Sequence, residues 1–285
     1  MEILMRRLAL VILALATLLP SLAQAYDILV LQSSRNATYD TVLKNFQTAT
    51  NASLRVVVLS DYAEVDAVRM VREERPQMIL AIGDAAVAAT NKIQRIPVIA
   101  AMALDVSSRA NVGGVTVFAP PIQYLNLFKQ MKVQRIGIIH NTKKTGWYLN
   151  KVRKAADQAG TKLEVRTVET SKEVMGQIDS LAGKVDALWM LPDTMAVTRE
   201  TTEAYFHFGQ KYGIPVVAFA SRYLGLGAAA ILEIDPVAVG HQAGVMASAL
   251  LGGTGTANYE ELNYTTVKTN RSILQKLSLE GTDLK

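Results

Sequence analysis

Short segments of nearly unbroken apolar character recur along the chain, at 28–31, 54–59, 78–82, 97–101, 135–139, 163–168, 187–191, 214–218 and 229–234. A strand of this kind has no polar face to offer water, so it belongs in a parallel sheet covered on both sides. The intervening segments carry a helical period instead. Tyr39, Val42, Leu43, Phe46 and Ala49 form one apolar stripe, and Leu149, Val152, Ala156 and Ala159 form another that runs into Gly160, a residue suited to ending a helix. Parallel strands need crossover helices because tight turns cannot join them, so this alternation predicts βαβ units and a doubly wound α/β architecture.

So many strands in 285 residues suit two smaller sheets better than one large one, and two lobes joined by a hinge are expected. The seam falls near 113–121, where a β-rich stretch with glycines before it meets Pro120 and Pro121, which can open a helix. The strand-helix-strand pattern of 28–59 then restarts at 135–168 as repeated architecture without repeated sequence. The first 25 residues stand apart from this scheme. Arg6 and Arg7 precede an apolar run over 8–22, followed by Ala23-Gln24-Ala25, a small-x-small cleavage pattern. As a helix the run reaches only about 22 Å, against about 30 Å for the hydrocarbon core of a bilayer, and Pro20 interrupts it. The expectation is a signal peptide cut after Ala25, leaving a soluble exported protein that begins at Tyr26.

Composition narrows the chemistry. With 50% hydrophobic and 19% charged residues and a mean hydropathy of +0.18, the chain lies far from the disordered class. The absence of cysteine removes disulfides, thiolate metal sites, cysteine nucleophiles and a lipid-anchored N-terminal cysteine. The 30 Lys and Arg against 25 Asp and Glu are scattered, so no nucleic-acid footprint is indicated. The nucleophile elbow, the phosphate loop and the zinc-binding helix motif are all missing. His140, His207 and His241 are too dispersed for a compact metal motif and read as structural, so no catalytic residue, metal or cofactor is assigned. Gly225-Leu226-Gly227-Ala228-Ala229-Ala230 has the spacing of a dinucleotide fingerprint but leads into a strand rather than a helix, which removes the pyrophosphate site. Gly240 and Gly244 read as a close helix contact, and the sequons at Asn36, Asn51 and Asn263 carry no weight in a bacterial chain.

Ligands of open α/β sheets bind beyond the C-terminal ends of the strands, and polar clusters recur there. They are Ser33, Ser34, Arg35 and Asn36; Gly83, Asp84 and Ala85; Asp105; Asn141, Thr142 and Lys143; Asp193 and Thr194; and Ser221, Arg222 and Tyr223. Any one of these could be a helix N-cap, and their recurrence in both halves points to a cleft. Tyr39, Phe118, Trp147 and Tyr223 could stack on a flat ligand or pack in the core. Trp147 stands out because it interrupts a polar loop.

Several strings, in order and spacing, carry a family likeness: Ile-Leu-Ala-Ile-Gly-Asp-Ala-Ala (79–86), Ile-Pro-Val-Ile-Ala-Ala (96–101), Asn-Val-Gly-Gly-Val (111–115), Lys-Val-Asp-Ala-Leu (184–188), Ile-Pro-Val-Val-Ala-Phe (214–219) and Gly-His-Gln-Ala-Gly-Val-Met-Ala (240–247). In these the chain from Tyr26 onward resembles the periplasmic solute-binding components of ABC transporters, in the group that includes tryptophan-type receptors. The resemblance implies a type I periplasmic binding fold of two Rossmann-like lobes with three crossovers, lobe 1 comprising 26–118 plus 235–262 and lobe 2 comprising 119–234 plus 263–285. It implies a non-enzymatic periplasmic receptor that closes over a small organic solute, an amino acid or related metabolite, and presents it to an ABC permease. No cofactor is implied, and a monomer is the default. Implied ligand contacts are Ser33, Ser34, Asn36, Asp84, Ala85, Asp105, Phe118, Asn141, Trp147, Asp193, Thr194, Ser221 and Asp235. Asp84 departs from the family pattern, standing where a hydroxyl residue is common, and a carboxylate there would repel a ligand carboxylate. Asn141 to Trp147 also depart from it, whereas Asp193 and Asp235 match acidic positions. A sensor subunit docking on a membrane signalling receptor is the alternative, and an enzyme using paired Asp residues is the third reading.

Overall fold

The computed structural model describes residues 26–104, 109–262 and 264–279. The expected signal peptide, Asp105 and Asn263 lie outside the described residues.

The apolar segments form strands of two six-stranded sheets, most of them central, while 54–59 and 163–168 become partly exposed edge strands. The first sheet has the order β11-β5-β4-β3-β1-β2, from β1 (Ile28–Gln32), β2 (Leu54–Val58), β3 (Met78–Ile82), β4 (Val98–Ala101), β5 (Val112–Val115) and β11 (Tyr259–Glu260), all parallel. The second has the order β12-β10-β9-β8-β6-β7, from β6 (Arg135–His140), β7 (Lys162–Thr167), β8 (Ala187–Trp189), β9 (Val216–Ala218), β10 (Ala230–Ile234) and β12 (Thr265–Thr269). Only β12 pairs antiparallel, along β10. β1, β3, β4 and β8 are buried along their whole length, as strands covered on both faces must be.

Helices cover both faces of each sheet. On the first sheet these are α1 (Ala37–Ala49), α2 (Ala67–Glu74), α3 (Asp84–Ala89) and, from much later in the chain, α8 (Pro236–Leu251). On the second they are α4 (Pro121–Gln130), α5 (Thr142–Ala159), α6 (Val174–Asp179), α7 (Arg199–Tyr212) and α9 (Arg271–Lys276). Both helices read from apolar stripes are present: Val42 and Phe46 are the buried residues of α1, and α5 buries Leu149, Val152 and Ala156 before ending at Gly160. Pro121 is the first residue of α4. Gly240 and Gly244 let α8 lie against α1, since a Cβ on Gly240 would come within 2.3 Å of the Val42 carbonyl oxygen and one on Gly244 within 2.8 Å of that of Phe46. The two glycines are therefore a helix contact.

The described residues on either side show three passages between the sheets: from β5 through 116–120 to α4, from β10 through Asp235 to α8, and from β11, which Glu261 and Leu262 follow, to β12. Each crossover leaves the C-terminal end of a parallel strand, and the third arrives at Thr265, which pairs with Ile234 at the C-terminal end of β10. Linkers this short keep the C-terminal edges of both sheets on the side where the lobes join.

The cores differ in kind. One face of the second lobe is aromatic: Trp189 packs with Tyr124 at 4.5 Å and Phe128 at 5.8 Å, and Tyr148 with Phe118 at 4.8 Å. The first lobe is aliphatic, with Phe46 as its one fully buried ring among the described residues. Phe118, expected at the end of the first lobe, packs in the core of the second. Each fully buried aliphatic or aromatic side chain contributes about 1.5–3 kcal/mol, so both cores are ample for lobes of this size.

Two strands escaped the sequence reading. β11 has two residues, and β12 reads Thr-Thr-Val-Lys-Thr, an edge strand without an apolar run.

Candidate functional site

In a doubly wound sheet the crevice opens where the strand order reverses. The first sheet reverses between β1 and β3, the second between β6 and β8. Both switch points lie on the edges from which the crossovers depart.

At the first switch point, Ser33 follows β1 and its N–H donates to the Ile82 carbonyl at 2.9 Å, while its Oγ accepts from the Ala86 N–H at 2.9 Å in the first turn of α3. Ser34 is half-buried, its carbonyl accepting from Gln32 Nε2 and its Oγ from Asn36 Nδ2. Asn36 is exposed and caps α1 by accepting from the Tyr39 N–H at 2.9 Å. Gly83, at φ +87°, turns the chain out of β3, and half-buried Asp84 accepts from the Leu104 N–H at 2.7 Å through Oδ1. Asp84 thus holds the loop after β4, and Ala85 beside it is exposed. The structure brings Ser33, Ser34, Asn36, Asp84 and Ala85 together on one rim.

The second switch point is closed upon itself. Asp193, only 1% exposed, accepts four hydrogen bonds: from the Asn141 N–H (2.8 Å) and the Thr145 hydroxyl (2.6 Å) on Oδ2, and from the Met195 and Ala196 N–H groups (both 2.9 Å) on Oδ1. Asn141 is likewise spent, its Oδ1 capping Lys143 and Lys144 and its Nδ2 donating to the Val168 carbonyl at 2.7 Å. That cap starts α5 at Thr142, so the polar stretch ending at Trp147 is the beginning of an 18-residue helix rather than a loop. Thr194 is the exposed member of this rim. His140, at the end of β6, lies 3.4 Å from the Thr145 hydroxyl; burial pushes its imidazole down, against an opposing pull from Asp193. Thr145 was invisible to sequence reasoning, because nothing in a lone threonine inside a polar stretch marks it as the bridge to Asp193.

The remaining candidates lie beside the crossovers or further along the edge. Phe118 is 1% exposed and meets Trp147 edge-on at 4.9 Å, so its ring faces protein and not the cleft. Trp147 is half-buried, with Lys151 Nζ 5.5 Å from its ring centre. The Tyr148 hydroxyl donates to the Ala119 carbonyl at 2.7 Å, fastening the first crossover to α5. Lys151, one turn beyond Trp147, pairs with Glu261 on the third crossover, and Glu260 next to it accepts from Gln242 of α8 at 2.7 Å. These ties also escaped the sequence reading, since they join segments remote along the chain. Asp235 caps α8 by accepting from the Val237 N–H at 2.9 Å, on the second crossover. Ser221 lies after β9, where its N–H donates to Glu233 and its Oγ accepts from Lys268.

A separate groove of about 530 Å³, walled by Phe206, Ile214, Leu224, Leu226 and Ile273, lies between α7 and α9. It sits where β9 and β10 begin, at the opposite edge of the second sheet, and shares no residue with either switch point. Gly225 and Gly227 border it and lead into β10, consistent with the rejection of a dinucleotide motif.

Comparison with known proteins agrees with this geometry. The family of ABC transporter substrate binding proteins matches residues 27–284. A tyrosine-binding protein of Clostridioides difficile is 25% identical over 178 residues, which are 61% of this chain and 50% of that protein, so the match spans half of the relative's length. Among solved structures, the ligand-free, open form of a substrate-binding protein with adhesive properties from Clostridium difficile superimposes with a TM-score of 0.66 at 22% identity, over 90% of this chain and 95% of that one. A Streptococcus pneumoniae ABC domain in complex with L-Trp gives 0.63 at 20% identity, over 88% and 94%. A conserved domain protein from Vibrio cholerae gives 0.64 at 20% identity, over 90% and 95%. The fold is the two-lobed type I periplasmic binding fold. The chain belongs to the ABC transporter substrate-binding protein family, whose members are generally extracytoplasmic and bind small solutes. Among the described residues no helix is long and apolar enough to cross a membrane.

Proposed function

We propose that this member of the ABC substrate-binding family captures a small organic solute, an amino acid or related metabolite, between its lobes by hinge closure and delivers it to an ABC permease. The observation that carries the reading is the placement of both switch points on the edges joined by three short crossovers, so that rotation about those segments brings the two rims together. The protein acts in the periplasm without 1–25, as a monomer and without a cofactor. It does no chemistry on the solute: the most buried carboxylate near the cleft, Asp193, is occupied by four hydrogen bonds and has no geometry for proton transfer to a bound molecule. The names of two relatives, one tyrosine-binding and one holding L-Trp, favour amino acids with aromatic side chains as the first solutes to try.

The test is a thermal-shift screen of the chain from Tyr26 onward, unfolded and refolded to strip carried-over solute. A solute at 100 times its Kd stabilises the folded state by about 2.7 kcal/mol, an easily measured rise in Tm. L-tyrosine, L-tryptophan or a close analogue is expected to raise Tm and to be recovered unchanged. A broad panel of amino acids, nucleosides, sugars and peptides with no effect would overturn the reading.

A further inference from the structure

The first switch point carries hydrogen-bonding capacity that the described protein atoms leave unused. Tyr39, in the first turn of α1, is half-buried, and its hydroxyl has no hydrogen-bond partner among the described residues. The phenol lies over Gly83: a Cβ on that residue would come within 2.5 Å of the Tyr39 oxygen and 2.7 Å of Ser33 Oγ. A side chain at 83 would therefore displace the phenol from the point where β1 and β3 diverge. Gln32, at the end of β1, is 1% exposed; its Nε2 donates to the Ser34 carbonyl and to Asp40 Oδ1, both at 2.9 Å, and its Oε1 is buried without a partner. Asp40 is the residue after Tyr39, so Gln32 pins the turn that carries the phenol.

Burial, and after it the field of Asp84, push the Tyr39 phenol up, so it stays neutral and keeps its O–H, while its oxygen can still accept a hydrogen bond. The nearby cation, Arg35, is engaged by both oxygens of Asp61, with Nη2 2.6 Å from Oδ2. A phenol oxygen in the field of the Asp84 carboxylate favours a positively charged donor.

We propose that Tyr39 is a specificity-determining residue of the cleft, its phenol oxygen accepting a hydrogen bond from the protonated amine of the bound solute, with Gln32 as the positioning residue. The inference rests on the solute-binding reading and deepens it, because it makes the amine the feature that the first lobe recognises.

Affinities of the wild type and of Tyr39→Phe for L-tyrosine and L-tryptophan, and for the same two acids lacking the amino group, test it. Wild type is expected to prefer the amine-bearing pair. Tyr39→Phe should weaken that pair about ten-fold and leave the deaminated pair unchanged, as loss of one hydrogen bond to a charged group predicts. Its Tm without solute should stay near that of wild type, since the hydroxyl bonds to no described protein group. An equal loss for both pairs, no loss at all, or a wild type indifferent to the amine overturns the inference alone. A wild type that binds none of the four overturns the solute reading for these acids, and the inference with it.

Discussion

The two lobes share the order of their first five strands and use their switch points in opposite ways. At β6/β8 the loops are stitched together by Asp193, which spends both oxygens on protein donors, so this rim is a preassembled wall. At β1/β3 the loops meet through Ser33 and Gly83, leaving the Tyr39 hydroxyl and Gln32 Oε1 without partners among the described residues. One fold can thus close one rim with its own hydrogen bonds and leave polar groups of the other open. The difference lies in which polar side chains are already satisfied.

The comparison can be broken most severely at Asp193. Asp193→Ala removes the acceptor for two loops at once and strands buried donors, so unfolding in urea should show a loss of about 3–5 kcal/mol. A loss under 1 kcal/mol would mean that the second rim is not preassembled. The counterpart in the first lobe is Gly240→Val, which drives a side chain into the Val42 carbonyl and should cost about 1–3 kcal/mol by forcing α8 from α1. Because α8 packs mainly on the first sheet, hydrogen exchange should rise in the first lobe and leave the Asp193 network protected.

Acid should separate the lobes more gently. The folded-state pKa of His140 is depressed by burial below its ordinary 6.5, so below that value the unfolded chain binds the proton more readily. The stability tied to the neutral imidazole is therefore full above about pH 6.5 and is lost as pH falls through the lower folded value. Urea midpoints between pH 7.5 and 5 should show this slope in wild type and a flatter one in His140→Gln. The smallest effect belongs to Lys151 and Glu261, whose side chains are 51% and 33% exposed. A double-mutant cycle on stability should give a coupling of about 0.2–1 kcal/mol that fades with salt.

Much of the fold was legible because burial on both faces writes itself into sequence as unbroken apolar runs, and 28–31, 78–82 and 187–191 each fall on a central strand. β12 was not, since an edge strand paired on one side can be built from threonine and lysine. At the site, Ser33 and Asp84 could be found from their place after strands. What they do could not, because a polar residue there serves equally as cap, brace or ligand contact until its partners are known. Phe118 shows the same limit for aromatics: its place at the seam suggested stacking on a solute, whereas Trp147 and Tyr148 take it into the core. Gln32 did carry a signal, as the one polar residue closing an otherwise apolar strand.

The central claim is that a solute held at both switch points draws the lobes together. Small-angle X-ray scattering of the refolded protein, with and without the solute that most raises its Tm, tests this most directly. The account predicts a smaller radius of gyration in the bound state, reached with the same concentration dependence as binding. Saturation of the protein with no change in its scattering would contradict it.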